Sequence, residues 1–271
     1  MLQDRFSVSE RRACRAVNQP RSTQRREPPV PCDEEVVLRE RLRTLARAHP
    51  RYGYRRMTTI LRREGFCVNH KRIQRLCRDE GLRVTRRPKK RSRVGISTIN
   101  GTRLRASRPD QVWAIDFQFD QTRDLRTLKL LNICDEFTKE ALAIDVRRSI
   151  TADDTVTVLE DLVRRRGRAP EFLRMDNGPE LTANALRDWC RFSDAGTAYI
   201  EPGSPWENPF VESFNGKIRD ELLAMEIFDT LTEARVLAEE FRIEYNTYRP
   251  HSALSQRTPA EFAVVWSENP P

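Results

Sequence analysis

The chain has 271 residues and carries 49 Lys and Arg against 40 Asp and Glu, a formal net charge of +9. The six cysteines form no C-x-x-C pair and the three histidines are scattered, which argues against a structural zinc site. No apolar run approaches the roughly 18 residues of a membrane span and no signal-peptide core precedes the chain, so we expect a cytoplasmic protein with reduced thiols and no membrane partner.

The charge is distributed unevenly along the chain. Residues 1–110 contain 30 basic and 11 acidic side chains, whereas residues 111–271 contain 19 basic and 29 acidic ones. A basic half of this kind favours a polyanionic partner, most often a nucleic acid. The alternative is a charged surface that serves solubility alone.

Residues 1–32 are basic and poor in apolar side chains. One interpretation is a partial helix-turn-helix, with helices over residues 9–17 and from residue 21, broken by Asn18-Gln19-Pro20. The other interpretation is a basic arm without regular structure.

Residues 33–82 show three successive helical patterns, of which the first covers residues 33–48. The second ends at Gly65, and the third begins at the N-cap candidate Asn69 and ends at Gly81. They predict a small all-α, helix-turn-helix-like DNA-binding domain whose last helix enters a major groove. A helical packing domain with charged faces is the alternative. The residues expected to contact DNA from the last helix are Lys71, Arg72, Gln74, Arg75 and Arg78.

Residues 83–108 form a basic linker. Its Lys89 and Lys90 belong to a cationic run that we expect to contact DNA phosphates without sequence preference.

The character of the chain changes after this linker. Residues 112–117, 127–134 and 141–146 are strand-like runs in quick succession, which predicts an antiparallel meander. Helices and strands then alternate to give the order βββαβαβα. This order predicts a mixed α/β domain over residues 109–271, in which helices flank a five-stranded mixed sheet and a long helix follows near the C-terminal end.

Three carboxylates of this region stand out by their positions. Asp116 lies inside an apolar strand, where a charge without a partner is costly. Asp176 ends a later strand, and Glu212 lies one turn into a helix that begins at the Asn208-Pro209 cap. A strand, a strand end and a helix can converge at one sheet edge, where hard oxygen ligands suit Mg²⁺ and two such ions can clamp a displacement at phosphorus.

Other interpretations of these carboxylates stay open on the residues alone. Asp176 could be a turn residue and Asp116 a buried acid satisfied by its neighbours. Three other acids are rival metal ligands: Asp120, Asp135 and Asp145.

Four motifs carry a resemblance to a known family. They lie at residues 112–117 (VWAIDF), 174–180 (RMDNGPE), 208–217 (NPFVESFNGK) and 245–254 (YNTYRPHSAL). The chain resembles the second-reading-frame product, OrfB, of insertion sequences of the IS-three type, a branch of the DDE transposases and retroviral-type integrases. The 35 residues between the second aspartate and the glutamate are the interval of this group.

The family's amino-terminal helical module is matched by residues 51–56 (RYGYRR) and 69–72 (NHKR), so the resemblance covers nearly the whole chain from about residue 33. It implies an RNase H-like catalytic core in which Asp116, Asp176 and Glu212 hold two Mg²⁺ ions, with Mn²⁺ as a substitute. The implied activity is cleavage and strand transfer at element ends, in the bacterial cytoplasm near the nucleoid. The helix of the glutamate would add three DNA contacts: Asn215, Lys217 and Arg219.

The resemblance also implies partners. These are the terminal inverted repeats, target DNA, the upstream-frame product OrfA as a fusion or partner, and further copies of the chain. Two other functions remain to be weighed: a non-catalytic DNA-binding protein that uses the basic half alone, and a related nuclease that cuts without joining. The motif at residues 245–254 favours the transposase.

Overall fold

The computed structural model describes residues 5–25, 33–84, 105–175, 184–193, 195–199 and 209–268. The chain divides into two compact units, residues 1–44 and 45–271. Three of the predicted site residues, Asp176, Lys89 and Lys90, lie outside the described residues.

The first unit contains short helices. Helices α1 (Glu10–Ala16) and α2 (Arg21–Gln24) are separated at Asn18, where φ is +52°. The Arg25 guanidinium donates to both oxygens of Glu10 at 2.8–3.2 Å. Both helices that the sequence predicts for this segment are therefore present in its described residues, 5–25.

A third helix, α3, spans Asp33–Ala48 and begins with three acidic residues, which suit the positive end of the helix dipole. Leu38 and Leu42, four residues apart, are buried, whereas Val36 and Val37 are exposed. Of the apolar residues that predicted this helix, the leucines are therefore buried and these two valines are not.

The second unit contains a pair of packed helices, α4 (Tyr54–Arg63) and α5 (His70–Asp79). The side chain of Asn69 accepts a hydrogen bond from the Lys71 N–H at 3.0 Å and caps α5 as predicted. Gly81 ends the segment with φ +70°, a conformation that glycine adopts without strain. The buried side chains of the pair recur at helical spacing: Met57, Ile60, Leu61, Ile73, Leu76 and Cys77.

A mixed sheet forms the centre of this unit, with strand order β3-β2-β1-β4-β5. The first three strands form the predicted antiparallel meander, and β4 and β5 run parallel to β1. This topology confirms the mixed α/β fold class. The strands are β1 (Val112–Gln121), β2 (Thr127–Asp135), β3 (Ala141–Arg147), β4 (Phe172–Met175) and β5 (Gly196–Tyr199).

Helices cover both faces of the sheet. Because strand side chains alternate between faces, Trp113 and Ile115 of β1 pack into one core, whereas Ala114 packs into the other. The first core is closed by α6 (Ala152–Arg166) and α7 (Asn184–Phe192), and the second by α8 (Pro209–Ile218) and α9 (Leu231–Thr247). Both α6 and α9 begin with capping boxes, at Thr151 and Thr230.

Short irregular helices follow α8 and α9. A π-helical turn spans Arg219–Leu223, and a 3-10 turn spans Ser252–Leu254 before the last helix, α10 (Pro259–Glu268). Within the described ranges, no helix has the length and apolar character needed to cross a membrane.

Candidate active site

Asp116 lies in β1, directly opposite Asn132 of β2, and is half-buried. One carboxylate oxygen accepts a hydrogen bond from the Phe117 N–H at 2.8 Å. The other accepts one from the Asn215 side-chain amide at 2.6 Å. Both donors are neutral, so these two bonds orient the carboxylate without cancelling its charge.

A network of amides holds Asn215 in this position. The side chain of Asn132, which is fully buried, donates to the Asn215 side-chain oxygen at 2.7 Å and to the Gln118 side-chain oxygen at 3.2 Å. Gln118 in turn donates to the Asn215 backbone carbonyl at 3.3 Å. The sequence reasoning missed Asn132 and Gln118, although an amide inside the apolar run of β2 is a signal that could have indicated them.

Glu212 lies on α8, which packs on β1 and β2 through Val211 and Phe214. Its side chain is exposed. Residues three apart on a helix are neighbours, so Glu212 stands one turn from Asn215, whose amide holds Asp116. The structure therefore brings two of the three predicted carboxylates to adjoining elements.

The third predicted carboxylate, Asp176, lies outside the described residues. The strand that precedes it in sequence, β4, is the parallel neighbour of β1, with Arg174 paired to Ala114. The described part of the chain contains no cluster of three or more His, Cys, Asp or Glu side chains that could hold a metal ion.

Two of the rival ligands have structural partners. Asp135 is fully buried and accepts hydrogen bonds from three backbone N–H groups, of Asp110, Phe137 and Thr138, at 2.6–2.7 Å. Burial raises the pKa of Asp135 above its ordinary value. Asp145 is ion-paired with Arg147 at 2.7 Å. The third rival, Asp120, accepts the N–H of the next residue at 2.8 Å.

The residues predicted to contact DNA occupy different surroundings. Four of the α5 residues are exposed, and Arg72 is half-buried. Arg219 is exposed at the first position of the π-helical turn. Lys217 is half-buried, and its ammonium group donates to the hydroxyl of Tyr245 on α9 at 3.4 Å. Burial, together with the like charge of Arg249, lowers the pKa of Lys217 to about 8. The exposed α5 residues are Lys71, Gln74, Arg75 and Arg78.

An ion cluster, here called the Glu221 cluster, lies beyond the end of α8 and consists of Glu221, Arg249 and Arg56, of which Arg249 is buried. Arg249 is 1 % exposed and donates to both oxygens of Glu221, at 2.6 Å each. Arg56 donates to the same carboxylate at 3.0 Å. Burial acts to raise the pKa of Glu221, but the hydrogen bonds and charge of the arginines keep it below its ordinary value.

The Glu221 cluster joins two of the sequence motifs. Arg56 comes from the motif at residues 51–56, and Arg249 comes from the motif at residues 245–254. Nearby, the Tyr52 hydroxyl donates to Glu244 at 2.9 Å. These polar motif residues connect α4 and the segment before it to the π-helical turn and to α9, a role that the sequence did not reveal.

Comparison with protein-family models identifies three segments of the chain. Two models described as integrase core domains match residues 106–205 and 193–259. A model described as an HTH-like domain matches residues 32–91.

Similar proteins belong to insertion elements. The chain is 41% identical over 263 residues to a 31.7 kDa protein of insertion element IS407 from Burkholderia multivorans, covering 97% of this chain and 93% of that protein. It is 33% identical to the transposase InsD of insertion element IS2D from Escherichia coli strain K12, covering 85% of this chain and 78% of that one.

Among solved structures, the fold is similar to a chain of the simian T-cell lymphotropic virus intasome, determined by cryo-electron microscopy in complex with the PP2A regulatory subunit B56 gamma. The TM-score is 0.52 at 14% sequence identity, over 82% of this chain and 74% of that chain. The likeness is one of fold and agrees with the predicted RNase H-like core.

Proposed function

The chain belongs to the DNA transposases of insertion elements that carry an integrase core domain, and we propose that it cuts element ends and joins them to a second DNA strand through Asp116, Asp176 and Glu212. The observation that carries this proposal is the hydrogen bond from Asn215 to Asp116, because it ties the carboxylate of β1 to the helix of Glu212.

The chemistry of the donor set fits divalent metal ions. Asp116 is oriented by neutral donors, and Glu212 is exposed, so both can offer hard oxygen ligands of the kind that Mg²⁺ prefers. With Asp176 they would hold two Mg²⁺ ions, for which Mn²⁺ would substitute. When bound, such ions activate the attacking oxygen and stabilise the leaving oxygen of a displacement at phosphorus.

The reaction consists of two displacements. In the first, a water oxygen bonds to the phosphorus at the element end, and the bond to the 3′ oxygen breaks to give a 3′-hydroxyl. In the second, that hydroxyl bonds to the phosphorus of another strand and releases the oxygen that it replaces. Neither step requires a covalent protein intermediate. Asn215 serves in both by holding Asp116, and Arg219, exposed just beyond α8, is placed to meet DNA phosphate.

DNA binding is assigned to the helical part of the chain. The exposed residues of α5 would read the terminal repeats, while Lys89 and Lys90 would contact phosphates. Domain boundaries at residues 33–82, 83–108 and 109–271 are part of this proposal. The OrfA product and a second copy of the chain would complete an assembly that holds two ends in the bacterial cytoplasm.

The test compares Glu212→Gln with the wild-type chain on labelled duplexes that carry the repeats flanking the gene, in Mg²⁺ or Mn²⁺. We expect Glu212→Gln to bind the duplex normally and to form no joined product. The matched control is Glu160→Gln, which changes an exposed glutamate on α6, far along the chain, and should leave joining intact. Joined product from Glu212→Gln would refute the assignment.

The same assay separates the competing functions. A nuclease would give nicked but never joined product, and a binding-only protein would give neither. If the wild-type chain alone is inactive, adding OrfA or fusing it to the chain distinguishes a missing partner from a binding-only protein.

A further inference from the structure

A cavity of about 540 Å³ lies beside the α4–α5 pair and is lined by four arginines. We call it the arginine pocket and define it by Arg51, Arg55, Arg56 and Arg83. Its wall also includes Gln74 of α5, Ser252 of the 3-10 turn and Gln256, which follows that turn. None of the described residues that line it is acidic.

Two of the arginines are held in place. Arg51 donates through Nε to the Asp220 backbone carbonyl at 3.2 Å, and Arg56 donates to Glu221 at 3.0 Å. A guanidinium has five N–H donors, so each retains further donors after these contacts. Arg55 and Arg83 are exposed and form no ion pair with any described residue.

A neighbouring cavity of about 260 Å³ has a different set of charged lining residues. It shares Arg51 with the arginine pocket, but its lining includes Glu221, Glu226, Glu240 and Glu244. Residues of both charge signs line that cavity, whereas the charged residues that the structure describes around the arginine pocket are all arginines. An anionic ligand is therefore the chemistry that this pocket fits.

The volume of the pocket and the residues beside it favour a phosphate group as the anion. The volume lies within the range of sites for small molecules, which is large enough for one nucleotide unit. Guanidinium groups bind phosphate oxygens in a bidentate manner. The pocket continues the α5 surface, because Gln74 belongs both to the pocket and to the predicted DNA-contacting face.

We propose that the arginine pocket binds a phosphodiester of element-end DNA next to the segment read by α5. The identity of the DNA rests on the proposed function, whereas the anionic chemistry rests on the pocket itself. Because Arg51 and Arg56 contact Asp220 and Glu221, the bound phosphate is linked by single side chains to the helical run that carries Glu212. The DNA end is thereby fixed relative to the catalytic helix.

The first experiment measures binding by the full chain without divalent metal, by fluorescence anisotropy of a repeat duplex over a series of salt concentrations. The variant is Arg55→Gln with Arg83→Gln. The control is Arg164→Gln with Arg187→Gln, two exposed arginines of α6 and α7 whose loss changes the net charge equally. We expect the pocket variant to bind at least about tenfold more weakly, with a salt slope shallower by roughly 1–2, and the control to match the wild type.

The second experiment locates the phosphate. Neutral methylphosphonates replace one phosphate at a time in the duplex. We expect one position at which the substitution weakens the wild type about tenfold but leaves the pocket variant unchanged, since the contact is already lost. Arg55→Lys with Arg83→Lys, which keeps the charge but not the bidentate geometry, should give an intermediate loss.

Two results would overturn the proposal. One is a loss of DNA affinity in the control variant equal to that in the pocket variant. The other is the absence of any methylphosphonate position that weakens binding by the wild type but not by the pocket variant. If the pocket variant keeps its DNA affinity but loses affinity for a polyglutamate peptide, the occupant is an acidic protein segment. Thermal melting of each variant excludes unfolding as the cause. If the chain joins DNA but no such methylphosphonate position exists, only the proposal for the pocket is refuted. If such a position exists but the chain joins no DNA, only the catalytic proposal is refuted.

Discussion

Glu212 and Glu221 lie nine residues apart in one helical run but occupy opposite electrostatic surroundings. Glu212 is exposed on α8, one turn from the amide that orients Asp116. Glu221 is held by Arg249 and Arg56 within 3.0 Å. Charge and burial, rather than residue type, therefore separate a carboxylate available to a ligand from one that belongs to the fold.

The two regions also differ in what their interactions contribute. A buried ion pair recovers the cost of removing both charges from water only with close geometry, and removing one partner leaves an uncompensated charge. Two neutral donors, the Phe117 N–H and the Asn215 amide, fix the orientation of the Asp116 carboxylate. The first arrangement stabilises the fold, and the second prepares a site.

The largest expected effect is a separation of activity from stability. Glu212→Gln should reduce strand transfer by at least about 10²-fold, the scale of losing one group that stabilises transition-state charge, without lowering the melting temperature. Glu221→Gln should destabilise the fold because it leaves two arginines without their carboxylate. Transfer assays and calorimetry on both variants check this. Equal losses of stability would remove the distinction between the two glutamates.

The next prediction concerns the Glu221 cluster. Arg249→Met should lower the free energy of unfolding by about 3–5 kcal/mol, because Glu221 loses its bidentate partner in a buried setting. The matched control is Arg164→Met, which breaks the pair with Asp161 at 2.7 Å, where the arginine side chain is 75% exposed. Exposed pairs contribute about 0–1 kcal/mol, so urea unfolding should barely detect the control. Similar losses in both would contradict the structural role.

A smaller effect is expected for Asn215, whose amide connects the helix of Glu212 to the strand of Asp116. Asn215→Ala should lower strand transfer about 10–100-fold, the usual cost of removing a group that orients a metal ligand. Affinity for the repeat duplex should stay unchanged, because the amide is bonded to Asp116. Ser213→Ala, at an exposed neighbour on α8, is the control. A loss of DNA affinity in Asn215→Ala would indicate instead the predicted phosphate contact.

The smallest expected effect is a pH dependence of stability at His251. This ring is buried beside Arg249, and the positive charges of Lys217 and Arg56 also disfavour its protonated form. Burial, reinforced by these like charges, lowers the pKa of His251 from 6.5 to about 2, so the folded ring stays neutral. The unfolded chain binds the proton below about pH 6.5, and stability therefore falls as pH falls, by up to about 1.4 kcal/mol per pH unit.

The variant His251→Gln should remove this contribution, and its stability should decline less than that of the wild type between pH 7 and pH 5. This window lies above the ordinary pKa of Glu221, whose contribution is lost only as pH falls further. Chemical denaturation at each pH measures the difference between the two proteins. Parallel curves would show that the ring does not titrate as expected.

Much of the fold could be predicted from the sequence because its signals are local. The cap at Asn69 and the helix end at Gly81 each involve neighbours within a few residues. The positions of Asp116 and Glu212 were likewise predicted, since each stands out against its own strand or helix. Asp176 stays a prediction.

The side-chain networks could not be predicted in this way. Arg56 and Glu221 are 165 residues apart, and Asn132 and Asn215 are 83 apart. No periodicity relates such residues. Lys217 illustrates the limit: its motif grouped it with DNA contacts, and the fold places its ammonium group against Tyr245.

The sequence by itself determined the helices, the strands and the family, because backbone periodicity and short motifs act over a few residues. It also determined that Asp116 lies in a strand and Glu212 in a helix. Tertiary structure alone decided that Asn215 holds Asp116, that two motifs meet at Glu221, and that four arginines line one cavity. Hydrogen bonds and ion pairs act over about 3 Å, so their partners are set only when distant segments of the chain are brought together.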